Sequence, residues 1–142
     1  MIDCADPHLL ADFWAVALDY VVEDNSALIK GLLDAGAVPE AAVTKFHGRL
    51  AFAEAMGIRD PDAPFDERTG IGQGGRVLFQ KVPEPKTVKN RVHLDLHVGA
   101  DRRAGVVDAL LAAGATKLWD GAQGGSTWVT MADPEGNEFC VA

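Results

Sequence analysis

The residues of this chain best suited to chemistry lie in two short segments. In Arg91–Val98, His93, Asp95 and His97 alternate with Val92, Leu94, Leu96 and Val98. A strand sends successive side chains to opposite faces, so two imidazoles and a carboxylate share one face and four aliphatic residues the other. In the last strand, Glu138 and Cys140 alternate with Phe139 and Val141. A carboxylate in a core strand is costly unless something pairs with it. Two strands, each with an oily face and a metal-capable face, suggest a cup-shaped site. Imidazole and carboxylate suit one divalent metal, zinc, nickel, iron, cobalt or manganese, at about 2.0–2.2 Å. An open position on such a metal polarises substrate oxygens and stabilises an enediolate or alkoxide. A carboxylate released from the metal, here Glu138, can shuttle a proton. Asp95 and His97 are expected to line the cup beside a small-molecule substrate. Trp128, alternating with Ser126 and Thr130, is expected as its aromatic wall.

The elements that must position these residues follow from periodicity and turn chemistry. Asp6 and Pro7 open a helix whose apolar positions are Leu9, Leu10, Phe13, Trp14, Ala17 and Leu18. Trp14 reads as core. Ser26 is expected to cap a second helix that stops at Gly36. Val43–Phe46 and Arg49–Ala53 read as a hairpin across His47-Gly48, although Leu50–Met56 also fits a helix. Residues 60–75 read as loop. Arg76–Val82 is a strand, and Pro83 to Pro85 breaks it. Arg91–Val98 is a strand, Asp101–Ala113 a helix with Val106, Val107, Leu110 and Leu111 inward, and three strands follow. Asp133-Pro134-Glu135-Gly136 forms the turn before the last of them. The second half is therefore βαβββ.

The first half reads the same way, with Phe13-Trp14 sliding over Val106-Val107 and Leu18 over Leu111. This is a repeat of supersecondary units. The expected organisation is a first module over residues 1–82 with an insertion at about 24–75, a linker at 83–89, and a second module over 90–142. The outer faces are expected to bury Val92, Leu94, Leu96, Phe139 and Val141 against the helices.

At 142 residues and 48% hydrophobic composition the chain can bury a sizeable core. Its formal charge of -8 argues against nucleic acid and acidic membrane surfaces. No apolar run approaches the roughly 20 residues of a membrane span. No signal peptide is visible, so a cytoplasmic location is expected, with Cys4 and Cys140 as buried reduced thiols.

The chain resembles the vicinal-oxygen-chelate superfamily, in its glyoxalase-like and bleomycin-resistance-like branch. The resemblance rests on Asp6-Pro7 with Ala11-Asp12-Phe13-Trp14 and Leu18-Asp19-Tyr20, on Leu78 to Lys86 and Asn90 to Leu96, and on Asp133-Pro134-Glu135-Gly136-Asn137-Glu138-Phe139-Cys140-Val141. It implies an α+β fold: two βαβββ modules forming a cup-shaped mixed sheet with helices outside. It also implies a homodimer. Enzymes of the superfamily hold a divalent metal on the first and last strands of each module. The resemblance assigns His93 and Glu138 of module two and Gln80 of module one to that role. The helix alignment puts the fourth position one or two residues before Met1, so metal binding is expected to be weak or absent, and stronger in a chain that starts earlier. Three functions fit: a metal-assisted lyase or isomerase, a metal-free binder of a planar small molecule, and an iron dioxygenase, which normally wants two His and one Glu.

Overall fold

The computed structural model describes residues 1–142. Helix α1 spans Pro7–Leu18. Asp6 caps it, its Oδ1 accepting from the backbone N–H groups of His8 at 3.0 Å and Leu9 at 3.1 Å, donors that the helix leaves unpaired. The other elements are β1 (Ile2–Cys4), β2 (Val21–Val22), α2 (Ser26–Asp34), β3 (Val43–Phe46), β4 (Arg49–Phe52), β5 (Ala55–Arg59), β6 (Arg76–Lys81), β7 (Leu94–Leu96), α3 (Ala100–Ala112), β8 (Thr116–Gln123), β9 (Ser126–Ala132) and β10 (Glu138–Val141). No helix is long and apolar enough to cross a membrane.

The strands form two four-stranded sheets, β1-β6-β5-β2 and β7-β10-β9-β8. Each runs first, last, third, second within its βαβββ unit, with a parallel pair at the first-strand edge. Register makes the repeat concrete. Ile2, Phe79 and Met56 pair in a row across the first sheet. Leu94, Phe139 and Met131 do so across the second. Phe79, Phe139 and Met131 are fully buried. They form the faces on which the helices pack. Phe13 and Trp14 of α1 also meet Phe139 edge-on, at ring-centroid distances of 5.8 and 5.2 Å, so α1 ties the two units into one core.

The Asp133–Asn137 turn is the second tie. Asp133 Oδ1 accepts from the N–H groups of Glu135 and Asn137, and its Oδ2 accepts from Trp14 Nε1 at 3.1 Å. The Glu135 carboxylate accepts from the N–H of Ala5 and, at 2.7 Å, of Asp6. The acidic residues of this turn therefore serve the fold. A buried carboxylate so fully bonded is satisfied in place.

Three expectations need correction. The stretch 24–75 contains β5, the third strand of the first sheet. Its Ala55, Met56 and Gly57 carry too little periodicity to announce a strand. What is inserted is α2 and the β3–β4 hairpin, which turns through His47 and Gly48 at positive φ (48° and 75°), as a two-residue hairpin turn requires. The cap of α2 is Asn25, not Ser26, and it makes no side-chain capping bond. Finally, β7 begins at Leu94, on the edge of its sheet. Val92 precedes the strand and stays 75% exposed, and Leu94 is 41% exposed. Leu96, Phe139 and Val141 are buried as expected.

Candidate functional site

The face of the second sheet opposite Phe139 and Met131 carries polar side chains in register. Asp95, Cys140, Thr130 and Trp119 form one row. One step before the Phe139–Leu94 pair lie Glu138 and His93. At the other end Trp128 pairs with Gly121. A Cβ on Gly121 would sit 2.2 Å from the Trp128 ring, so only glycine lets this indole lie flat against the neighbouring strand. Trp128 Nε1 donates to Thr130 Oγ1 at 3.2 Å, which fixes the ring. Over this face opens a cavity of about 920 Å³. Its walls include Lys89, His93, Asp95, His97, Trp119 and Trp128. Arg103 of α3 closes one end, its Nη1 donating to Thr127 Oγ1 at 2.8 Å. At the other end Lys89 Nζ stands 5.4 Å from the Trp119 ring centroid, within cation–π range.

Of the residues singled out from sequence, His93, Asp95, His97 and Trp128 thus come together on one cavity wall. Glu138 sits beside them, at the root of the same face, but is already engaged. Its Oε2 accepts from the Asn90 N–H at 3.0 Å and lies 3.6 Å from Lys86 Nζ. Its Oε1 lies 3.6 Å from Lys89 Nζ. The Asn90 hydrogen bond, with smaller help from the two lysines and against the effect of burial, holds the Glu138 carboxyl down at about 2. Lys89 Nζ also reaches His93 Nε2, at 3.4 Å. Gln80 is elsewhere: its amide donates to the carbonyl oxygens of Glu54 and Lys81. Lysine 89, Arg103 and Trp119 were missed by sequence reasoning. Lys89 lies in the linker, where no periodicity marks it, and Trp119 follows a register shift between Lys117 and Trp119.

Register also decides whether a superfamily-type metal fits. Since Ile2–Phe79 matches Leu94–Phe139, the counterpart of His93 is Met1, and that of Glu138 is Leu78. The position expected before Met1 therefore falls on Met1 itself, and the one assigned to Gln80 falls two residues earlier, on Leu78. Met1 and Leu78 are poor partners for a hard divalent cation. His93 and Glu138 are left as the sole pair, and both face the Lys89 ammonium. No group of three or more His, Cys, Asp or Glu side chains is placed to hold an ion. The donor set does not fit the metal. The corresponding face of the first sheet is filled instead: Glu23 and Arg76 pair there, over Gly57.

The two thiols are free. Burial, with nearby carboxylates adding, pushes Cys4 up to about 12. Burial also raises Cys140, against a hydrogen bond with Thr130. Neither is poised as a thiolate nucleophile.

The depressed Glu138 carboxyl has a stability consequence. Its folded value lies below the ordinary one of 4.5. The stabilisation is therefore complete above that value and is lost as pH falls toward about 2. The urea midpoint of Glu138→Gln is expected to lie below that of the parent at neutral pH, with the gap closing as pH falls through this window. A gap independent of pH would show that the carboxylate charge is not what the lysines and Asn90 recognise.

Comparison with known proteins places the fold. The glyoxalase-like domain family model matches residues 1–142. A glyoxalase/bleomycin resistance protein/dioxygenase family enzyme from Burkholderia phytofirmans PsJN is similar with a TM-score of 0.57 and 15% identity, over 99% of this chain and 91% of that one. A glyoxalase-related enzyme from Fulvimarina pelagi gives 0.55 and 16%, over 99% and 82%. A glyoxalase/bleomycin resistance protein from Albidiferax ferrireducens T118 gives 0.55 and 15%, over 99% and 92%. At such identities the likeness is one of fold. No curated protein matches the chain.

Proposed function

The chain belongs to the glyoxalase-like domain family, within the vicinal-oxygen-chelate superfamily, and from that premise we propose that it binds a planar small molecule in the second-module cavity without a metal. The observation that carries this reading is the state of Glu138. The carboxylate that would be a metal ligand is neutralised by Lys86, Lys89 and the Asn90 N–H. A cation arriving there would displace two ammonium groups and gain His93 as its one further ligand. The cavity nevertheless has the volume of a small-molecule site. Two indoles, Trp119 and Trp128, line it. Large flat rings of this kind offer stacking surface to a planar ligand.

The metal-assisted lyase or isomerase is the competing reading. It needs several converging donors and an open coordination position, and although His93, Asp95 and His97 share the cavity wall, no three such side chains converge on one point. The iron dioxygenase needs two His and one Glu at a single point and meets the same obstacle.

Naphthalene-based probes test the proposal. Chelator-treated protein is expected to show quenched tryptophan fluorescence on titration with 2-naphthoate, with the same affinity after zinc or manganese is restored. Replacing both Trp119 and Trp128 with Phe is expected to remove the quenching, leaving the Trp14 emission. Probe binding that appears only with a stoichiometric bound ion would overturn the metal-free reading. Quenching that survives the double substitution would move the site elsewhere.

A further inference from the structure

The charge around the cavity says more about the ligand than its shape does. This inference rests on the cavity being the binding site. The chain as a whole carries a formal charge of -8, yet the groups around this cavity run the other way. Of the charged side chains that line it, Lys89 and Arg103 face only Asp95, and Lys86 and Glu138 stand beside Lys89 at its margin. Two of those cations converge on the single Glu138 carboxylate, so one positive charge there is uncompensated. Lys86 is largely covered, whereas the Lys89 side chain is 58% exposed. The uncompensated charge is thus presented to the cavity by Lys89. Its ammonium stands 3.4 Å from His93 Nε2 and 5.4 Å from the centre of the Trp119 ring. Ammonium, imidazole and the face of an indole therefore meet at one end of a cavity that the Trp128 ring also lines.

A neutral aromatic ligand would use the indoles and leave the ammonium unanswered. A cationic one would be repelled at both ends, by Lys89 and by Arg103. We infer that the ligand is a planar organic anion, an aromatic or conjugated carboxylate or enolate, whose oxyanion sits on Lys89 and His93 while its flat part lies between Trp119 and Trp128. An oxyanion on Lys89 makes a charge-assisted hydrogen bond, stronger than its neutral equivalent. Lys89 supplies the positive charge to the oxyanion, and Lys86 leaves Glu138 still paired.

The experiment compares 2-naphthoate with its uncharged isostere 2-naphthamide, by calorimetry on the full chain at fixed low salt. Naphthoate is expected to bind about tenfold more tightly, the ratio that one hydrogen bond to a charged group supports. Lys89→Gln is expected to bring the two affinities together in a protein that is still folded, Glu138 keeping Lys86 and the Asn90 N–H as partners. Lys89→Arg, which keeps the charge, should preserve most of the preference. Added salt should weaken naphthoate and leave naphthamide alone. Equal affinity for the two probes in the parent protein would overturn the anion assignment while leaving the binding site in place. A preference that persists in Lys89→Gln would overturn the role of Lys89. Absence of binding by either probe would refute both this inference and the reading beneath it.

Discussion

Replacing Phe139 with alanine is expected to lower the unfolding free energy by about 3–5 kcal/mol. The ring is fully buried and lies in the row that joins Leu94 to Met131. It is also the one residue of the second sheet that both aromatic rings of α1 meet edge-on. Truncation would remove its transfer free energy and leave a cavity that α1 cannot collapse into, because Trp14 is held by its bond to Asp133. Each lost aromatic pair adds about 0.5–1.5 kcal/mol. A domain of this size has about 5–15 kcal/mol in all, so the variant should be marginal at ambient temperature. Phe139→Leu, which keeps most of the volume, should lose much less. Urea unfolding of both variants is the measurement. A loss below about 1 kcal/mol for Phe139→Ala would mean that the two units do not share a core through this ring.

Glu23→Ala is expected to cost about 3 kcal/mol, within the range for breaking a buried ion pair on one side. The Glu23 side chain is fully buried. Its Oε1 accepts from Arg76 Nε at 2.7 Å and from the Gly72 N–H at 2.8 Å, and its Oε2 accepts from Arg76 Nη2 at 2.8 Å. Without the carboxylate, a guanidinium is left over the sheet beside an unpaired amide. The paired variant Glu23→Leu with Arg76→Leu should recover the part of the loss that comes from the unpaired guanidinium, leaving the Gly72 N–H as the remaining cost. Gly57 limits what else can change here: a Cβ there would come within 2.1 Å of Glu23 Oε2. If Glu23→Ala unfolds at the parental urea concentration, the pair contributes nothing and the filled face of the first sheet needs another cause.

The ways in which sequence reasoning fell short share a cause. Glu23 and Arg76 are 53 residues apart, and nothing local to either announces the other. The hairpin at His47-Gly48 was legible because a turn is a local event with a local residue preference. Strand β5 was not, because Ala55, Met56 and Gly57 carry little periodicity and owe their extended form to β6 and β2 on either side. Val92 and Leu94 show the reverse failure. Their alternation is clean, but an edge position leaves an aliphatic side chain exposed whatever its pattern.

The pairing of two βαβββ units was legible from the family resemblance, while local chemistry in the sequence was sufficient for the second unit, the Asp6 cap, the turn at Asp133 and the placing of His93, Asp95 and His97 on one face. Each depends on a period of two or on the conformational preference of one residue, and both survive in the folded chain. Tertiary structure alone decided what Glu138 does. Its partners come from a linker without regular structure, and the charge state of a carboxylate is set by whatever three-dimensional neighbours reach it. The same holds for the missing metal donors: strand pairing makes Met1 and Leu78 the counterparts of His93 and Glu138, and leaves Gln80 two residues away. Register is a property of paired strands, and a single strand's pattern cannot contain it.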